Sequence, residues 1–316
     1  MPKKRAFSPA GLPEKLSASI VLMFLALALL TSHAQEPPVS RVLTLSSPTG
    51  LAIIPVMEGW YENEDGTVTI SFGYHNKNLE GTVVIPFGEN NRIEPAQFDG
   101  IQPTFFDRGR HTGVFTVTLP ESMRGESIWW SVQTGENPLY KVPGRATAEG
   151  YQLDRRPRPQ GSVSPTVWFD EDGPRSSGPD GIVAERGTPV RTGTPVELTV
   201  HAMDLSERDA NDPRFKEPIS MRANWAVHQG PAAVEFARHE STEIPELSES
   251  PAPDTEPRFQ DVTLPTGAGT ANVYATFPET GQYMLRIQVD NWAAPESAEN
   301  DQCCWTNVYQ RITVLP

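Results

Sequence analysis

Apolar residues in this chain return at every second position, and nowhere do they settle into a helical repeat. Thr67 to Tyr74 alternates strictly, placing Val68, Ile70, Phe72 and Tyr74 on one face. The same period recurs at Val196, Leu198, Val200 and Ala202, and again at Met221, Ala223, Trp225 and Val227. It appears twice more, at Val273, Ala275 and Phe277 and at Tyr283, Leu285, Ile287 and Val289. No stretch sustains a 3.6-residue apolar period, so helix is expected to be nearly absent. Proline supplies 31 of the 316 residues, which breaks helix interiors and suits short strands joined by turns. Asp65-Gly66 is a hairpin signal and Asn137-Pro138 a turn signal. Short alternating segments between turn residues predict antiparallel β-sandwiches.

The segments group into two halves. Residues 1–34 have the layout of a cleaved signal peptide. Lys3, Lys4, Arg5 and Lys15 precede an apolar run from Ile20 to Leu30, and Ser32-His33-Ala34 supplies small residues at the cleavage site. Eleven apolar residues fall short of the roughly 20 that span a bilayer, so no transmembrane anchor is expected in the mature form. A first β-domain is placed at 35–153. An Arg/Pro linker follows at 154–164, stiffened by Arg155-Arg156-Pro157-Arg158-Pro159. A second β-domain is placed at 165–316. Two long loops are expected, Pro86 to Gly113 and Asp170 to Gly187, and a Glu/Ser/Pro-rich insert near 241–257 reads as disordered.

Charge narrows the partners. The chain carries 26 Lys+Arg against 40 Asp+Glu, a formal charge of −14. Without the leader, 22 basic and 39 acidic residues remain, or −17. An acidic, exported protein, periplasmic or extracellular, repels the phosphates of nucleic acid. Two cysteines are too few for a disulfide scaffold or a four-thiolate zinc site.

Glu279-Thr280-Gly281-Gln282-Tyr283-Met284-Leu285 resembles the D-x-G-x-Y-x-C run of immunoglobulin-like domains and the G-x-Y-x-L-x-V run of PKD and cadherin-like modules. The resemblance implies that Tyr283 is a corner tyrosine. It also implies that Leu285, Leu198 and Trp225 pack where antibody domains keep a disulfide and a tryptophan. Several further motifs resemble a family of exported bacterial proteins: Glu58-Gly59-Trp60, Ser71-Phe72-Gly73-Tyr74, Ile93-Glu94-Pro95, Gln102-Pro103-Thr104-Phe105 and the Cys303-Cys304-Trp305-Thr306-Asn307 motif. That resemblance implies two immunoglobulin/PKD-like sandwiches and carries no activity, cofactor or catalytic residue with it.

Catalytic signatures are missing: the chain has no G-x-S-x-G, no H-E-x-x-H, no C-x-x-C and no Gly-rich phosphate loop. A non-enzymatic protein is expected. Three constellations remain as candidate sites. Asp204, Asp209, Asn211 and Asp212 lie in one turn-rich stretch whose Asp209-Ala210-Asn211-Asp212-Pro213 is similar to the cadherin linker motif. They offer oxygen ligands to Ca²⁺. Cys303 and Cys304 are neighbours, with Cα atoms about 3.8 Å apart, below the roughly 4.4–6.8 Å of most disulfides. A strained vicinal disulfide, a pair of buried thiols on opposite strand faces, and a Cu(I) site all fit. Arg108, Arg110 and His111 gather positive charge beside Phe105 and Phe106, a setting suited to an acidic ligand. Trp129 and Trp130 must point to opposite strand faces, leaving one able to stack on a sugar.

Taken together, these features favour an all-β exported protein with a binding or structural role and a protein or glycan partner. A metal- or redox-linked accessory protein built on Cys303 and Cys304 is the first alternative, and a carbohydrate-binding module the second.

Overall fold

The computed structural model describes residues 49–153, 161–242, 258–294 and 304–316. The expected signal peptide, most of the Arg/Pro linker and nearly all of the Glu/Ser/Pro insert lie outside them. The described residues are built of β-strands, and short 3₁₀ turns are the helical elements among them.

Eight strands build the first core: β1 (Ile53–Glu62), β2 (Val68–Asn76), β3 (Val83–Val84), β4 (Asn91–Glu94), β5 (Phe105–Phe106), β6 (Gly109–Leu119), β7 (Ile128–Val132) and β8 (Tyr140–Gly144). They pair as β1-β2-β6 and β4-β7-β8, with β3-β5 as a small side ribbon. Between the sheets sit the inward residues of the alternation, among them Ile70, Phe72, Phe115 and Trp130. Phe72 stacks on Phe115 with centroids 5.2 Å apart, and Trp130 meets Phe115 edge-on at 4.9 Å. Offset and T-shaped pairs of this kind let the ring edges meet the electron-rich faces.

Eleven strands build the second core: β9 (Thr166–Trp168), β10 (Ser176–Ser177), β11 (Ile182–Glu185), β12 (Val190–Arg191), β13 (Val196–Met203), β14 (Met221–Gln229), β15 (Glu235–Arg238), β16 (Asp261–Leu264), β17 (Ala268–Thr276), β18 (Gly281–Asp290) and β19 (Trp305–Leu315). One sheet runs β10-β9-β13-β17-β15 and the other β11-β19-β18-β14-β16. Trp225, Leu198 and Leu285 are buried together in this core. The Tyr283 hydroxyl donates to the Glu279 carbonyl at 3.2 Å, closing the corner that the resemblance implied.

Three expectations need correction. Residues 86–113 are not one loop, because β4 and β5 cross it and pair with β7 and β3. Residues 170–187 likewise contain β10 and β11, and β11 and β12 run parallel to β19, so the second sandwich is not purely antiparallel. The segment ahead of Asp65-Gly66, to which the sequence pattern assigns no strand, forms β1 with Pro55 within it. As an edge strand it tolerates the missing donor.

A fourth difference decides where the site lies. The alternation of β18 and β19 predicts a wet outer face, yet Arg286, Gln288, Asn307 and Tyr309 on that face are buried. The first sandwich covers them. The Gln288 side-chain amide donates to the carbonyls of Thr112 (3.0 Å) and Gly113 (3.1 Å), and Asn307 donates to Gly113 at 2.9 Å. The Tyr309 hydroxyl donates to Val114 at 3.2 Å. At the other end, beside a bulge in β14, His228 is buried against Tyr309. Its Nε2 donates to the Ile101 carbonyl at 2.8 Å, while its own carbonyl accepts from the Thr104 amide at 2.8 Å. Gln229 adds bonds to the Gly100 and Gln102 carbonyls. The two cores thus meet along a polar seam inside one compact unit, Ser47–Pro316.

Gly113 is the tightest point of this seam. Its φ of +62° lies in the left-handed region, and a Cβ there would come within 2.6 Å of the Trp305 ring. Replacement by alanine is expected to destabilise the protein by more than about 1 kcal/mol through both backbone strain and collision. Gly125→Ala, at a position with open space around it, should leave the thermal midpoint nearly unchanged.

The buried seam also makes stability depend on pH. Burial holds the His228 imidazole neutral, with its pKa lowered to about 3. His111, stacked on Tyr74 at 4.8 Å, is lowered to about 4 by burial and by the nearby Arg286 charge. The ordinary value is 6.5, so between these limits the unfolded chain binds protons that the folded one refuses. Stability is then full above about pH 6.5 and falls as the pH drops toward 3. The total is on the order of a few kcal/mol, most of it from the fully enclosed His228. Chemical denaturation across pH 4–7 should show this decline, and His228→Gln should flatten it.

Candidate functional site

The residues singled out in the sequence do not converge on one place. In the acidic stretch each carboxylate serves its own turn. Asp204 accepts from the Ser206 amide at 3.0 Å and pairs with Arg208 at 2.8 Å. Asp209 accepts from the Asn211 amide at 2.8 Å and its side-chain amide at 3.1 Å. Asp212 caps the next turn and pairs with Arg214 at 2.6 Å. Local Asx turns of this kind explain the spacing without a metal. No three His, Cys, Asp or Glu side chains come together as a metal site among the described residues.

The cationic cluster is similarly occupied. Phe105 and Phe106 are 3% and 0% exposed, pointing into the protein rather than toward a ligand. Arg110 pairs with the buried Glu58 at 2.7 Å and also donates to the carbonyls of His111 and Tyr74. Gly73 makes the room, since a Cβ there would lie 2.0 Å from the Glu58 carboxylate. His111 Nε2 lies 3.0 Å from the Arg108 carbonyl. Trp130 is buried in the first core, while Trp129 faces outward with Lys141 over its ring at 5.7 Å.

Cys304 is the sequence-selected residue that does lie beside a cavity. It is 1% exposed and disulfide-bonded; Cys303 lies outside the described residues. Its amide donates to the Asn291 side chain at 3.3 Å, and Trp305 follows it into β19.

The cavity is a cleft of about 610 Å³ at the end of the seam. One wall comes from β1 and β6 of the first core with the 63–67 turn: Tyr61, Asn63, Glu64, Asp65, Thr67 and Thr118. The other holds Ser164, Ser177, Gly178, Pro179 and Asp180 together with Cys304 and Trp305. The Tyr61 hydroxyl reaches across to the Asp180 carboxylate at 3.4 Å. Asp65 accepts from both the amide and hydroxyl of Thr67 (2.9 and 2.6 Å), and these bonds pull its carboxyl below the ordinary range. Asn63 donates to Thr67 and Thr69 at 2.8 and 2.9 Å. The 63–67 turn is therefore pre-ordered, with aromatic, hydroxyl and carboxylate groups facing one space. None of its described lining residues is Lys or Arg.

Sequence reasoning missed this cleft because its walls belong to both halves of the chain. Asp65-Gly66 reads only as a hairpin turn and 170–187 as featureless, and nothing local says that the two meet.

No protein-family model and no curated protein matches the chain. Among solved structures it is similar to the D0-D1 domain of intimin, at 10% identity with a TM-score of 0.24 over 84% of this chain and 100% of that one. A protein of unknown function from Porphyromonas gingivalis W83 matches at 9% identity and a TM-score of 0.24, over 83% and 99% of the two chains. CfaE, the adhesive subunit of the CFA/I fimbria of enterotoxigenic Escherichia coli, matches at 10% identity and a TM-score of 0.23, over 86% and 82%. Similarity at this level adds no argument about fold or function, which rest on the strand register and the cores. No helix among the described residues is long and apolar enough to cross a membrane.

The disulfide at Cys304 gives a direct measurement. The chain has two cysteines, so reduction of the intact protein is expected to add about 2 Da, one hydrogen per sulfur, without separating any subunit. An unchanged mass, or release of a disulfide-linked dimer, would contradict a bond within the chain.

Proposed function

We propose that this is an exported, non-enzymatic binding protein whose ligand occupies the cleft beside Trp305, and that the ligand is a neutral saccharide. The cleft carries this reading. Its volume lies within the roughly 300–1,000 Å³ of small-molecule sites. Carboxylates of Glu64, Asp65 and Asp180 accept from sugar hydroxyls, and Tyr61 offers a ring edge or face to the apolar side of a pyranose. The acidic lining and the charge of −14 on the whole chain disfavour an anionic ligand.

The metal- or redox-linked alternative is less well supported. A cysteine engaged in a disulfide withholds the thiolate that Cu(I) requires, and no partner ligands gather around it among the described residues. A sugar site at the paired tryptophans has less support too, with Trp130 enclosed and Trp129 engaged by Lys141.

A glycan array followed by calorimetry tests the proposal. Tyr61→Ala should weaken binding by about tenfold or more, equivalent to about 1.4 kcal/mol, while Trp129→Ala leaves it unchanged. No glycan binding, or loss confined to the Trp129 variant, would overturn it.

A further inference from the structure

Among the described seam residues, Arg286 carries a buried charge with no ion pair. It lies on the outer face of β18, opposite Ala226 of β14 and Tyr309 of β19, and is 3% exposed. Its Nη1 is buried with no hydrogen-bond partner, and Arg286 has no ion pair among the described residues. A guanidinium cannot shed its proton to escape burial, so the charge stays and an acceptor is needed.

The surrounding groups do not supply one. Asp107, Tyr74 and Tyr309 act on Arg286 only through space. The Asp107 carboxylate is engaged by the Thr82 hydroxyl at 2.8 Å. Tyr309 directs its proton to the Val114 carbonyl, and Tyr74 accepts from the Asp107 amide at 3.0 Å. Both phenols are held protonated by burial, Tyr309 with its pKa raised to about 12. His111 and His228 face the same charge as neutral rings, and Glu58 is already matched by Arg110.

We propose that the seam binds one small monovalent anion, with chloride as the physiological species, against Nη1 of Arg286 beside Tyr309. A water molecule would satisfy the donor but not the charge, and burying an unpaired charge is heavily penalised. The anion joins the two sandwiches by completing a contact that neither makes alone. This site is independent of the saccharide cleft.

The test compares the whole protein in sodium chloride and in sodium gluconate at equal ionic strength, gluconate being too large to enter. The thermal midpoint should be higher in chloride by about 3 °C or more and should rise with the logarithm of its concentration. Arg286→Met should abolish that difference. Crystals grown in bromide should show an anomalous peak within hydrogen-bonding distance of Arg286. Equal midpoints in the two salts, a chloride effect that persists in Arg286→Met, or an ordered water alone on Nη1 would overturn the proposal. If the variant fails to fold, the bromide map of the wild-type protein decides.

Discussion

Backbone carbonyls of one sandwich, answered by side-chain amides of the other, are what the rest of this architecture depends on. The carbonyls of Thr112, Gly113 and Val114 lie at an irregular part of β6, where β2 and β6 fall out of register. Left buried without partners, each would cost more than an ordinary hydrogen bond returns. Gln288, Asn307 and Tyr309 supply those partners from β18 and β19. Such bonds are directional, unlike apolar contact, so they set the angle and slide between the sheets as well as their proximity. The walls of the cleft inherit that alignment.

The same arrangement explains why two strands are buried on both faces. Inward residues of β18 and β19 fill an apolar core, as in any sandwich. Outward residues are amides, a phenol and a guanidinium: the amides and the phenol lie against backbone carbonyls, while Arg286 carries a charge still to be matched. A seam built this way is polar in composition yet buried, and it places two histidines where protonation opposes folding.

Much of the first level was legible from residues alone. Strict alternation located the longest strands, and Trp225, Leu198, Leu285 and Tyr283 occupy the core positions expected of them. Trp129 and Trp130 diverge as their adjacency requires. Shorter strands such as β4, β5, β10 and β11 escaped notice because two to four residues carry no period. Their pairing depends on a distant partner. The carboxylate-rich stretch at 204–212 is open to two readings for a related reason: Asx turns and calcium loops draw on the same side chains. The seam was illegible because the outer faces of β18 and β19 look like any wet strand. Burial there is a property of the other half of the chain.

Strand β19 bears on folding order as well as on architecture. The bond between Gly113 and Asn307 spans 194 residues, and that between Val114 and Tyr309 spans 195. Strands β1 to β8 pair among themselves, so the first sandwich can close while later segments are still being delivered. The second cannot, since β11, β12 and β18 all await β19. Closure of loops this long is slow compared with local hairpin formation. A chain made from its N-terminus onward would therefore pass through an intermediate with a finished front half and an exposed, unpaired sheet edge behind it. Both the cleft and the anion site would come into being only in the final docking step.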